Sequence, residues 1–255
     1  MSSVCVVIPV YNHESAITET LAGLRSQALT VLLVDDGSEP ACAAVLRSLA
    51  DADAGTRLLR LPENRGKGAA VMAGLAFAAE AGFTHVLQID ADGQHDSKDI
   101  PRFLAAACAE PAALICGEPI FDASIPRHRL YLRYLTHVMV WINTLSFDVH
   151  DSMCGLRVYP LSKVLPVIEK ERPGSRMDFD IEILVRLHWN GMTMRWLPTH
   201  VGYPRDGISH FRLVRDNWLI TLMHTQLFFG MLRRAPMLIG RRLRLAFGAV
   251  PGVTT

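Results

Sequence analysis

Short β-branched runs alternate with helically spaced apolar stretches through the first 110 residues, and this alternation restricts the fold more than any other feature. Residues 4–10, 31–34, 57–61 and 85–89 read as strands. Between them, 14–27 places Ile17, Leu21 and Leu24 at helical spacing, and 41–50, 68–81 and 97–108 read as further helices. Repeated βα units imply a mostly parallel sheet covered by helices, with ligands in the crevice beyond the carboxyl ends of the strands. The loops 9–12, 35–38, 64–68 and 90–94 all leave strand ends, so four polar loops should face one crevice.

Composition narrows the class. A chain of 255 residues buries a sizeable core as one large domain, or as one domain with a small appendage. With Lys+Arg at 26 against Asp+Glu at 25 there is no global basic field, and nucleic acid is not an expected partner. The five cysteines lie far apart and are odd in number, which suggests reduced thiols rather than a disulfide framework or a zinc ribbon. The N-terminus has no basic region and only a short apolar run, unlike a signal peptide, so a cytoplasmic catalytic part is expected.

Regularity falls after residue 117. Prolines mix with Arg127, His128, Arg129 and Arg133 before an apolar, helical stretch at 135–145. An acidic-entry helix at 176–187, a strand at 193–197 and a polar loop at 203–211 follow, with no repeat or linker to divide them. Residues 218–232 are rich in Leu, Ile, Met and Phe and are followed by Arg233, Arg234, Arg241, Arg242 and Arg244. That run is shorter than the roughly 20 apolar residues of a membrane span. It suits an interfacial helix with arginines toward anionic headgroups; docking on the protein core or on a second copy is the alternative.

The chemistry concentrates at Asp90-Ala91-Asp92-Gly93-Gln94-His95, at the end of an apolar run. In extended chain, residues i and i+2 share a face, so Asp90 and Asp92 can converge on a hard divalent cation. The same letters also make an ordinary turn.

Five motifs occur in order: Val-Ile-Pro9-Val-Tyr11-Asn12, Val34-Asp35-Asp36-Gly37-Ser38, Asn64-Arg65-Gly66-Lys67-Gly68-Ala69, Asp90-Ala-Asp92-Gly-Gln94-His95 and Asp151-Ser-Met-Cys-Gly155-Leu-Arg157. Together they resemble the inverting family-two glycosyltransferases of the GT-A fold, and most of all the branch of dolichyl-phosphate mannose synthases and polyprenyl-phosphate glucosyltransferases. The resemblance covers about residues 4–211. It implies an α/β, Rossmann-like GT-A domain over 1–211, with 212–255 as an amphipathic helical tail.

It further implies a nucleotide-sugar donor, GDP- or UDP-linked, held by Pro9, Tyr11, Asn12, Asp36, Lys67, Asp90 and Ala91. Glu14 is included although His13 displaces it from the family's usual acid position. Asp90, Asp92 and Gln94 resemble the family's ligands for Mg²⁺ or Mn²⁺, with Asp92 also catalytic. Asp151, Asp180 and Glu182 are the candidates for a general base, which a hydroxyl acceptor needs and a phosphate monoester does not. Acids in a first helical turn also complement the helix dipole. Arg127, Arg129 and Arg133 lie where lipid-phosphate synthases hold the acceptor phosphate, and Arg205, Ser209 and His210 resemble the loop that closes on the diphosphate. A solvated helix face is the other use of the three arginines, and a solvated loop lysine that of Lys67.

The expected function is therefore metal-dependent, inverting transfer of a hexose to a lipid-linked acceptor, of which polyprenyl phosphate is one candidate. Two alternatives stay open: transfer to a hydroxyl of a lipid, polyketide-like or saccharide acceptor, and a non-catalytic nucleotide-sugar-binding partner in a membrane complex. The expected location is peripheral, on the cytoplasmic membrane.

Overall fold

The computed structural model describes residues 3–121, 125, 127–202 and 212–247. Seven strands form one sheet: β1 (Val4–Val10), β2 (Thr30–Asp35), β3 (Thr56–Arg60), β4 (His85–Gln88), β5 (Leu114–Phe121), β6 (Arg157–Pro160) and β7 (Met194–Val201). Their order is β3-β2-β1-β4-β6-β5-β7. The first four strands are parallel, as the βα alternation predicts. The four-residue β6 enters antiparallel to both β4 and β5, while β5 and β7 pair in parallel over eight residues. That pairing extends β7 from the expected 193–197 to Val201.

Helices α1 (Glu14–Leu24), α2 (Pro40–Asp51), α3 (Lys67–Glu80), α4 (Ile100–Ala109), α5 (Arg127–Thr144), α6 (Leu161–Glu171), α7 (Phe179–Trp189) and α8 (Leu213–Phe247) cover the sheet. Alternation along β1 divides the core. Val6 and Ile8 join Ile17, Leu46 and Phe103 on one face, whereas Cys5 and Val7 join Ala70, Val71, Leu75 and Phe179 on the other. Small residues let α3 lie close to the sheet: a Cβ on Gly74 would stand 2.4 Å from Val7 Cγ1. The register aligns Val10 with Asp35 and Asp35 with Arg60, so the polar loops leave the sheet at one level.

The tail differs most from expectation. Instead of a short apolar run over 218–232, α8 is one helix of 35 residues that continues through Gly230 and Pro236. It packs on α5 and α7 and buries Met223, Leu227, Met231 and Leu238. Gly230 is where Trp189 meets it, since a Cβ there would lie 2.7 Å from the indole. Three of the arginines expected to face headgroups turn to the protein instead: Arg234 reaches Glu171 and stacks over Trp189, Arg241 bonds His188, and Arg242 donates to the Leu145 carbonyl. The Glu171 carboxylate at the end of α6 and the His188 carbonyl in α7 supply the acceptors for Arg234 and Arg241, whereas Arg242 stays exposed beside the Leu145 carbonyl. Arg233 and Arg244 stay exposed. Among the described residues, no helix is long and apolar enough to cross a membrane.

Candidate active site

The first two loops are stitched together by side chains. Asp35 ends β2 with one oxygen accepting the Ser38 N–H at 2.8 Å and the other paired with Arg60 at 3.0 Å. Ser38 Oγ accepts the Asn12 N–H, and Asn12 Oδ1 accepts the Glu39 N–H. Asn12 adopts φ 50, a left-handed conformation that asparagine tolerates. Asp36 accepts the N–H groups of Arg65 and Gly66, both at 2.8 Å, and so fixes the glycine-rich loop. Burial raises its carboxyl above the usual range despite those two bonds. Pro9 and Tyr11 are half-buried beside this loop junction, and Glu14 is exposed in the first turn of α1. The Ala91 side chain joins the apolar cluster, leaving only its backbone to face a ligand.

Two glycines bring α7 onto the start of α3. A Cβ on Gly66 would meet Arg176 at 2.5 Å, and one on Gly68 would meet Phe179 at 2.4 Å. The close approach places Asp180 beside Lys67, whose Nζ lies 2.7 Å from Asp180 Oδ2 and 2.8 and 2.9 Å from the two Asp90 oxygens. Burial works against the ammonium, but Asp180 and Asp90 together hold its pKa above the usual value. Burial likewise opposes charge on Asp90, and Lys67 and His95 overcome it, so that carboxyl is pulled down. Gly155 abuts Asp90 from the far side, where a Cβ would stand 2.2 Å from Oδ2.

Asp92 behaves in the opposite way. Burial and the neighbouring Asp90 charge push its carboxyl up, while one oxygen accepts the Gln94 N–H at 3.1 Å. Among the described residues, no three His, Cys, Asp or Glu side chains converge as a metal cage. A cation here would draw on Asp92, with Asp90 and Gln94, and complete its shell from substrate oxygens, the usual manner of Mg²⁺. The residues fit such a group, because two adjacent carboxylates raise one another's cost of ionisation and a divalent ion offsets it. The buried His95 Nδ1 has no hydrogen-bond partner, and a cavity of about 300 Å³ opens beside it, lined by 93–96, Ile120, His200, Val201 and Gly202.

The three candidate bases are all engaged. Asp151 accepts Arg133 Nε and Nη2, each at 2.6 Å, His137 at 3.1 Å, and the N–H groups of Met153 and Cys154. Although burial opposes its charge, His137 and Arg133 hold this carboxyl far below the ordinary range, which makes it a poor proton acceptor. Glu182 accepts the Gly174 N–H at 2.6 Å and pairs with Arg186, which also holds Glu171. It braces α6 against α7. Asp180 alone of the three contacts the Lys67–Asp90 pair.

Arg133 is thus bound to Asp151 rather than standing on a solvated face. Arg127 and Arg129 belong to α5, whose side chains at these two positions lie outside the described residues, as do Arg205, Ser209 and His210. Sequence reasoning gave no role to Arg157. This guanidinium is 1% exposed and donates to the Asp180 and Ser152 carbonyls at 2.9 Å and to Tyr159 Oη at 3.3 Å. An arginine among Leu156, Val158 and Tyr159 is itself the signal, since a buried charge requires partners. His137, four residues after Arg133, was missed for want of any local sign.

Residues 5–165 match glycosyl transferase family 2, and the chain belongs to that family as a glycosyltransferase of the GT-A fold. It is 26% identical over 211 residues to polyprenol monophosphomannose synthase of Mycolicibacterium smegmatis, covering 80% of this chain and 79% of that one. It is 26% identical over 205 residues to dolichyl-phosphate beta-glucosyltransferase of Dictyostelium discoideum, covering 70% and 60%. Among solved structures it resembles glucosyl-3-phosphoglycerate synthase of Mycobacterium tuberculosis in complex with Mn²⁺ and UDP-glucose, at a TM-score of 0.60 and 17% identity, over 91% of this chain and 79% of that one.

Proposed function

We propose that this chain transfers a hexose, with inversion, from a GDP- or UDP-sugar to the phosphate of a polyprenyl-type lipid, with Mg²⁺ or Mn²⁺ as cofactor. The observation that carries the reading is that Asp151, Glu182 and Asp180 are each paired with a cation. A hydroxyl acceptor needs a free base; a phosphate monoester arrives as an oxyanion and needs none. The relatives named dolichyl-phosphate beta-glucosyltransferase and polyprenol monophosphomannose synthase support the same acceptor class.

In this reading Asn12 and Asp36 order the loops around the nucleoside, and Lys67 meets the diphosphate. Asp92, with Asp90 and Gln94, would hold a divalent cation, which would neutralise the charge that develops on the nucleoside diphosphate. Arg133, with Arg127 and Arg129, orients the acceptor phosphate for attack from the opposite face. Arg205, Ser209 and His210 close over the diphosphate.

The membrane enters through α5 and α8. Tyr131, Leu132, Tyr134 and Leu135 are exposed around Arg133, and α8 exposes Val214, Trp218, Phe229 and Leu232. Such apolar surface next to an anion-binding arginine suits a peripheral position at the cytoplasmic membrane, with 1–211 as the catalytic unit and 212–255 as the tail. The test offers GDP- and UDP-hexoses with polyprenyl phosphate or the corresponding polyprenol, with and without chelator. Transfer to the phosphate alone, abolished by chelator, is expected; transfer to the alcohol alone refutes the acceptor assignment.

A further inference from the structure

The Lys67 ammonium donates a hydrogen bond to Asp90 Oδ2 at 2.9 Å and forms ion pairs with Asp90 Oδ1 at 2.8 Å and Asp180 Oδ2 at 2.7 Å. The Lys67 side chain is 17% exposed and that of Asp90 20%, so the pair is only partly screened by water. Neither carboxylate is free to swing away. The Gly155 backbone lies against Asp90, and Asp180 is backed by Arg157, with 3.7 Å between Oδ1 and the guanidinium.

We infer that Lys67 is a resident counter-ion of Asp90, which a divalent cation displaces only when the oxygens of a nucleoside diphosphate take Lys67 over. This rests on the proposed function, because it presumes that Asp90 and Asp92 serve a metal. Since Asp90 is held in place, the lysine moves. Asp180 retains it during the exchange, and the diphosphate oxygens replace Asp90 as partners of the ammonium. Metal and nucleotide binding are then positively coupled, and by linkage each strengthens the other by the same factor. Arg157 acts as a positioning residue by fixing Asp180.

The test measures free Mn²⁺ by electron paramagnetic resonance while the full chain is titrated, alone and with saturating GDP or UDP. Mn²⁺ alone should bind the wild type weakly, and the nucleotide that binds should tighten it by about tenfold or more. Lys67→Met should bind Mn²⁺ alone about tenfold more tightly than wild type, with the nucleotide effect shrunk toward none. Asp180→Asn, which leaves Lys67 only Asp90 to hold, should shift the Mn²⁺ affinity the opposite way. It keeps the inference testable if Lys67→Met fails to fold. Equal Mn²⁺ affinity for the wild type and Lys67→Met, or tighter binding by Asp180→Asn, overturns the counter-ion role while leaving the metal site standing. Absence of Mn²⁺ binding in every variant with either nucleotide overturns both.

Discussion

Asp151→Asn separates a proton-transfer role from a structural one. The carboxylate is 3% exposed and accepts bonds from Arg133, His137, Met153 and Cys154. The amide oxygen can still serve the two backbone N–H groups and Arg133 Nη2, but the amide NH₂ then faces Arg133 Nε, donor against donor. Removing one member of a buried ion pair costs about 3–5 kcal/mol. Arg133 and His137 retain 12% and 17% exposure, so water softens the loss toward the lower bound. For a domain of this size, about 3 kcal/mol corresponds to a fall in Tm of about 6–12 °C. Urea denaturation should show the lower midpoint at an unchanged slope. The folded pKa of Asp151 is depressed, so its contribution is complete above the unfolded carboxyl value of about 3.9 and is lost as pH falls through the folded value. Wild type and variant should therefore differ by a constant amount from about pH 5 to 8 and converge only in stronger acid. A stability loss under about 1 kcal/mol combined with abolished turnover would falsify the clamp and restore Asp151 as the base.

Asp92→Asn should keep a normal thermal melt and lose about 10²-fold or more in turnover; a folded variant with wild-type turnover removes Asp92 from the chemistry. Gly155→Ala, whose Cβ would stand 2.2 Å from Asp90 Oδ2, should cost about 1–3 kcal/mol in chemical denaturation, and wild-type stability would contradict the close approach. Burial lowers His224 to about 4, so the unfolded chain binds that proton first, and stability should fall by up to about 3 kcal/mol between pH 6.5 and 4. His224→Gln should flatten this slope, and an unchanged slope speaks against it. Replacing exposed Trp218, Phe229 and Leu232 by Ser should release the protein from anionic liposomes with little change in Tm. Truncation before Asn217, by contrast, should also destabilise the body, since it strips Met223, Leu227, Met231 and Leu238 from the core at about 1.5–3 kcal/mol each. Persistent sedimentation of the triple variant with liposomes would remove α8 from the membrane contact.

The parallel half of the sheet was legible because β1, β2 and β4 are short, nearly continuous apolar runs, buried on both faces as in a helix-covered parallel sheet, that alternate with helical spacing. The orientation of β6 was not. Four residues carry too little pattern to fix a direction, and the direction follows from pairing with β4 and β5. The DxD loop and Asp36 could be located from motifs, yet motifs do not show charge pairing across the chain. Lys67 meets Asp180 over 113 residues of sequence, and Arg133 meets Asp151 only because α5 folds back on the 151–154 turn. The tail arginines misled for the same reason: an arginine after an apolar run reads alike whether it faces headgroups or a buried carboxylate such as Glu171.

The central claim, inverting transfer to an anionic lipid acceptor without a protein base, is tested most directly by following one reaction with polyprenyl phosphate by NMR. The anomeric coupling constant of the first-formed product reports the configuration at the new bond, and the ³¹P signal reports whether that bond is to phosphorus-bound oxygen. The account predicts a single product of inverted configuration, joined through the phosphate. A product of retained configuration, or a sugar joined to carbon-bound oxygen while the lipid phosphate stays unmodified, would contradict it.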